Sequence, residues 1–164
     1  MFLSFIWETE AFRASRRRYE FIMRKCEVNF LGIGAQRAGT SWLWENLKQH
    51  PGIWMPPRKE LHYFDRSPKY SSSTLLASDP LMNRLFGRAG HNKRFRRSFK
   101  RELLISIRRR DWERRRWNVH YYLGAHDNDW YRSLFKYGGD KVKGEITPAY
   151  SKLEQEDVEH ICSL

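Results

Sequence analysis

Along this chain the spacing of apolar residues switches between short unbroken runs and helical periods, and each switch marks an element. Residues 28–34 (VNFLGIG) form a short, mostly apolar, β-prone run, the pattern of a strand buried on both faces. Residues 42–50 (WLWENLKQH) set Leu43 and Leu47 on one face at i, i+4, and Pro51-Gly52 stops that helix. Between them lies a glycine-bearing stretch, residues 35–41 (AQRAGTS), so the predicted order is strand, glycine loop, helix. Residues 53–55 read as a brief extended run, and Pro56-Pro57 forces an extended lead into residues 58–65 (RKELHYFD). A polar Pro/Ser loop follows at 67–73. Helical spacing returns at about 75–86 and 99–117, joined by a loop at 87–92, and again in a short helix at 130–135. Residues 141–150 (KVKGEITPAY) predict a second short strand that turns at Pro148, and 154–164 a last helix. Upstream, Phe12, Tyr19, Ile22 and Met23 predict a peripheral helix over about 8–25. Strands alternating with helices favour an α/β fold on a parallel sheet flanked by helices, with residues 1–27 as an N-terminal helical extension.

Charge changes this picture in one place. The formal net charge is +12, and residues 81–120 hold fourteen Arg or Lys against Glu102, Asp111 and Glu113, so nearly all the excess sits on a basic helical insert at about 75–120. A patch of that sign attracts nucleic acid, acidic polysaccharide or anionic lipid by counterion release and long-range steering. Its simplest reading is a solvated helical face. Cys26 and Cys162 form no C-x-x-C pair and no disulfide framework, which favours a reducing, cytoplasmic setting. The apolar opening at residues 1–7 is cut off by Glu8 and Glu10, far short of the ~20 residues a membrane span needs, and it lacks the basic lead of a signal peptide.

The glycine loop carries the first chemistry. Residues 34–41 (GAQRAGTS) have the spacing of the nucleotide-binding P-loop, G-x-x-x-x-G-K-S/T, but Thr40 stands where the lysine belongs. Glycines let the backbone close on an anion, and the start of the following helix points N–H groups at it. The Thr40 and Ser41 hydroxyls add donors. Without the lysine that reaches a γ-phosphate, ATP or GTP hydrolysis is disfavoured and a different anion is implied. Arg37 offers a fixed charge with a planar fork suited to phosphate or sulfate. The structural alternative is a plain glycine turn with Arg37 in solvent.

Four separated stretches now stand in order: residues 30–43 (FLGIGAQRAGTSWL), His50-Pro51, residues 59–65 (KELHYFD) and residues 144–150 (GEITPAY). Together they resemble the motif series of the sulfotransferase family, especially its bacterial and heparan-sulfate-type branches. The resemblance implies a P-loop-like sulfotransferase fold whose first motif binds the 5′-phosphosulfate of 3′-phosphoadenosine-5′-phosphosulfate (PAPS), through Gln36, Arg37, Ala38, Gly39, Thr40, Ser41 and Trp42. Arg37 stands where that family usually has lysine, which keeps the charge and alters its reach. The resemblance is tight over residues 28–65 and loose over 130–155. Family members continue into an R-x-P-x-x-R-x-x-S segment that binds the donor's 3′-phosphate. None follows here before Leu164, so a C-terminally incomplete domain over 28–164 with impaired donor affinity is the expectation.

Sulfuryl transfer to a hydroxyl or amine needs a base for the acceptor's proton and positive charge on the sulfonate and departing phosphate. Lys59 and Glu60 supply both signs side by side. The resemblance implies Glu60 as the base, with Lys59 and Arg37 in the catalytic set and no metal. His62 would face the same side in an extended segment and orient acceptor or donor. The alternative is a solvated Lys59–Glu60 pair and a hydrogen-bonded His62. Tyr63, Phe64, Trp42 and Trp44 read mainly as packing. The acceptor bears a hydroxyl or amine, an anionic glycan among the candidates. Two other functions are weighed: a non-catalytic polyanion or nucleic-acid binding module carried by the insert, nucleic acid ranking low, and a nucleotide kinase.

Overall fold

The computed structural model describes residues 27–70 and 80–162. The expected N-terminal helix, Cys26 and the first residues of the helix expected at 75–86 lie outside those residues. Strand β1 (Phe30–Gly32) runs through the glycine loop into helix α1 (Thr40–Gln49), and β2 (Ile53–Trp54) follows. His50 ends α1 in an extended conformation, as the residue before a proline must. Four helices come next: α2 (Leu81–Phe86), α3 (Gly90–Arg108), α4 (Trp112–Leu123) and α5 (Asn128–Ser133). A 3-10 turn at Lys136–Gly138 then leads to β3 (Val142–Ile146), a second at Pro148–Lys152 follows it, and α6 (Gln155–Cys162) closes the described chain.

The architecture is α/β. The three strands form a parallel sheet in the order β1-β3-β2, with Phe30, Leu31 and Gly32 opposite Gly144, Glu145 and Ile146, and Ile53 and Trp54 opposite Val142 and Lys143. Position in the sheet corrects one expectation. The strand buried on both faces is the central β3, whose residues 143–146 are all buried, whereas β1, paired only with β3 among the described residues, is half-buried. An apolar run shows that a strand is covered; it does not say by how many neighbours.

Most of the core is aromatic. Tyr63 stacks on Tyr131 with centroids 4.7 Å apart, and Phe64 meets the edge of the same ring at 4.9 Å, so both pack as expected. Trp44 is buried with Met55 and Ile146 between α1 and the sheet. Trp42, expected to pack, is instead 71% exposed. Two residues along a helix are about 200° apart, so both indoles cannot enter the same core.

The basic insert is also not one helix across residues 99–117. It breaks into α3 and α4 at residues 109–111, where Arg110 takes a left-handed φ of 53° and the Asp111 carboxylate accepts the Arg114 N–H at 2.9 Å as an N-cap. The loop expected at 87–92 is shortened because α3 already begins at Gly90. Nor is the insert an appendage. From α4 the Tyr121 hydroxyl donates to the Leu61 carbonyl at 3.3 Å, and Arg58 donates to the Tyr122 hydroxyl at 3.1 Å, so its inner face holds the stretch that precedes Asp65.

Candidate functional site

A helix that starts on a glycine loop leaves its first N–H groups without intrahelical partners. In α1 the ladder begins with the Leu43 N–H donating to the Gly39 carbonyl at 3.0 Å. No side chain caps the helix and no acid lies in its first turn. Gly39 reaches this geometry at φ 74°, in the left-handed region, and a side chain there would meet nothing within 4 Å; the requirement is conformational, not spatial. Arg37 is left-handed as well, at φ 64°. The loop is thus an open, donor-lined start of a helix, with the exposed Arg37 beside it.

The ammonium absent from position 40 arrives from residue 59. Lys59 Nζ donates to the Ser41 hydroxyl at 2.8 Å and to the Thr40 hydroxyl at 3.3 Å, and lies 3.0 Å from Glu60 Oε1. One cation therefore bridges the anion cradle and the carboxylate. Glu60 Oε2 faces His62 Nε2 at 3.5 Å, and His62 Nδ1 lies 2.8 Å from Oδ2 of the buried Asp65. The residues form a chain of alternating sign from the loop inward: Lys59, Glu60, His62, Asp65. Burial opposes a charge on His62, but the Asp65 hydrogen bond and the nearby Asp65, Glu60 and Glu145 carboxylates raise its pKa above the ordinary value.

Residues 58–62 are not extended, which corrects the reason given for placing His62 beside Glu60. Glu60 has φ 60° and His62 φ 55°, both left-handed. They are held there by β3. The Glu60 N–H donates to the Ile146 carbonyl at 3.3 Å, and the Leu61 N–H donates to Glu145 Oε2 at 3.2 Å and Thr147 Oγ1 at 3.1 Å. The Tyr63 N–H donates to the Tyr150 hydroxyl at 2.9 Å. Glu145 is the hub. Its carboxylate also accepts from the Tyr131 and Tyr150 hydroxyls at 2.7 and 3.1 Å and from the Thr147 hydroxyl at 2.7 Å. Burial pushes the Glu145 pKa up, and those donors work against the rise.

These elements close around one cleft of about 330 Å³, lined by Gln36, Arg37, Gly39, Thr40, Ser41, Lys59, Glu60, His62, Pro148 and Ala149. Eight of these lining residues were singled out from the sequence as site residues, and Pro148-Ala149 belongs to the turn after β3. Ala38 and Trp42, expected on the anion, are not among the lining residues. Asp65 and Glu145 were missed. Asp65 follows His62 by three residues in a stretch already of interest, whereas the role of Glu145 depends on pairing across more than eighty residues. Among the described residues no group of three or more His, Cys, Asp or Glu is arranged to hold a metal ion. The chain matches no family model, no curated protein and no solved structure.

Proposed function

We propose that this cleft is the donor and transfer site of a sulfotransferase-type reaction, moving a sulfuryl group from PAPS to a hydroxyl or amine. The observation that carries the reading is convergence. The glycine loop, the Lys59–Glu60–His62 stretch and the Pro148-Ala149 turn, read separately from the sequence, line one cavity of about 330 Å³. Its donor set suits a compact polyanion: two cations, two hydroxyls and an uncapped helix start. The volume lies at the small end of ligand pockets, enough for the phosphosulfate end of a donor.

Arg37, Lys59 and the Thr40 and Ser41 hydroxyls would hold the donor's phosphosulfate. When bound, PAPS supplies the sulfuryl group, its sulfur–oxygen bond to the 5′-phosphate breaking as the acceptor's oxygen or nitrogen bonds to sulfur. Lys59 and Arg37 set positive charge where the departing phosphate gains negative charge. Glu60 takes the acceptor's proton on a carboxylate oxygen. His62 holds Glu60 Oε2 on one side and Asp65 on the other, which fixes the base at the cleft wall.

Calorimetry with 3′-phosphoadenosine 5′-phosphate tests the reading. Binding is expected, weakened on the order of 10-fold or more by Lys59→Ala or Arg37→Ala, the loss of one charge-assisted hydrogen bond each. Glu60→Gln should retain binding and lose transfer from PAPS. A chain that ignores this nucleotide but binds and turns over ATP with magnesium is a nucleotide kinase, and the sulfuryl-transfer reading then fails.

A further inference from the structure

The outer face of α3 is a second chemical feature that the cleft does not use. Helix α3 spans 19 residues, about 28 Å. Lys93, Arg94, Arg97, Lys100, Arg101 and Arg108 are all exposed on it, at the i, i+3 and i+4 spacings of one face. Its single acid, Glu102, is turned toward α4, where it pairs with Arg114 at 2.8 Å and reaches back to Arg101 at 3.5 Å. No carboxylate among the described residues pairs with Lys93, Arg94, Arg97, Lys100 or Arg108.

Charge alone would suit any polyanion, but this face is not charge alone. Leu104 is 55% exposed amid the cations, Ile107 is 47% exposed beside them, and Trp112, just past Arg108, Arg109 and Arg110, is 64% exposed. Exposed aliphatic side chains do nothing for a sulfated glycan or a phosphodiester strand. Trp112 is poorly placed to sandwich a base, because the Arg115 guanidinium already lies over its ring at 3.8 Å. Lys and Arg around exposed Leu, Ile and Trp is a composition that suits the headgroup layer of an anionic bilayer. Among the described residues no helix is long and apolar enough to cross a membrane.

We propose that the outer face of α3, with the start of α4, docks on membranes rich in anionic lipid. Lys93, Arg97, Lys100 and Arg101 meet headgroup phosphates and carboxylates, while Leu104, Ile107 and Trp112 enter the boundary between headgroups and acyl chains. Glu113, exposed beside Trp112, would face water at the rim.

Co-sedimentation of the full chain with phosphatidylcholine vesicles, with and without phosphatidylserine, tests this. Binding should require phosphatidylserine. The Arg97→Gln, Lys100→Gln, Arg101→Gln triple variant should lower it on the order of 100-fold. The Leu104→Ala, Ile107→Ala, Trp112→Ala variant, with every cation retained, should lower it ~10-fold or more. All replaced side chains lie on the surface, and an unchanged circular dichroism spectrum and Tm would separate lost docking from lost folding. Two results overturn the proposal: no preference for phosphatidylserine, or vesicle binding untouched by the apolar variant and abolished by equimolar heparin or single-stranded oligonucleotide. The latter would make the face a site for soluble polyanions. Neither result bears on nucleotide binding in the cleft.

Discussion

Burial works against a charge on His62 while three carboxylates work for it. The net effect is upward, so the folded pKa lies above the ordinary 6.5. A histidine raised on folding stabilises the fold at pH below its unfolded pKa, and that contribution fades as pH rises through the higher folded value. Asp65 supplies the hydrogen bond that opposes burial most directly. Nuclear magnetic resonance titration of the His62 ring should therefore show a pKa above 6.5 that falls in Asp65→Asn. His62→Gln should flatten the loss of stability above neutral pH, measured by denaturation at several pH values. A His62 pKa that Asp65→Asn leaves in place would mean the pair is only a contact. His62 itself was legible in the sequence, but Asp65 was not, because its partnership rests on burial and on a left-handed turn that no local pattern announces.

Elements divide by how local their causes are. The β1–loop–α1 unit was readable because each part is set within a few residues: a β-prone run, two glycines at fixed spacing, and His50-Pro51-Gly52 to end the helix. The break between α3 and α4 was harder to read. Arginines surround it, and the one clue is Asp111 standing where an N-cap would. The loop also offers a clean test of backbone against space. Gly39→Ala adds a methyl into open room, so the cost is that of a left-handed alanine, about 1–2 kcal/mol. For a chain of this length the Tm should fall by roughly 2–8 °C in a thermal melt. An unchanged Tm would mean the loop relaxes out of the described turn.

At the scale of the whole molecule, β3 organises the candidate site while lining none of it. Glu145 gathers the Leu61 N–H and three hydroxyls in the core. Glu145→Ala would leave the three buried hydroxyls without this acceptor, at ~1–3 kcal/mol each, while the Leu61 N–H keeps Thr147 Oγ1, so a total loss of ~3 kcal/mol or more is expected in chemical denaturation. Glu145→Gln, which keeps one acceptor and lets the hydroxyls turn, should cost clearly less. Equal losses would show that volume and not hydrogen bonding sets the effect. The sequence marked residues 141–150 as a strand and a turn, but it could not show that this strand is central or that it fixes the conformation of residues 60–63. Those facts come from the parallel order β1-β3-β2, which depends on which runs of the chain meet.

Leu61 reaches Glu145 across 84 positions of chain, and Tyr63 reaches Tyr150 across 87. A left-handed Glu60 has no neighbour in sequence to keep it so, and the chain must close that long span before the twist is rewarded. The carboxylate that faces the cleft would therefore take its final posture late, after the aromatic interior has assembled, and would be among the first groups to lose it when β3 loosens. Nascent chains that have not yet emerged as far as Tyr150 carry every residue of the glycine loop and still lack the site.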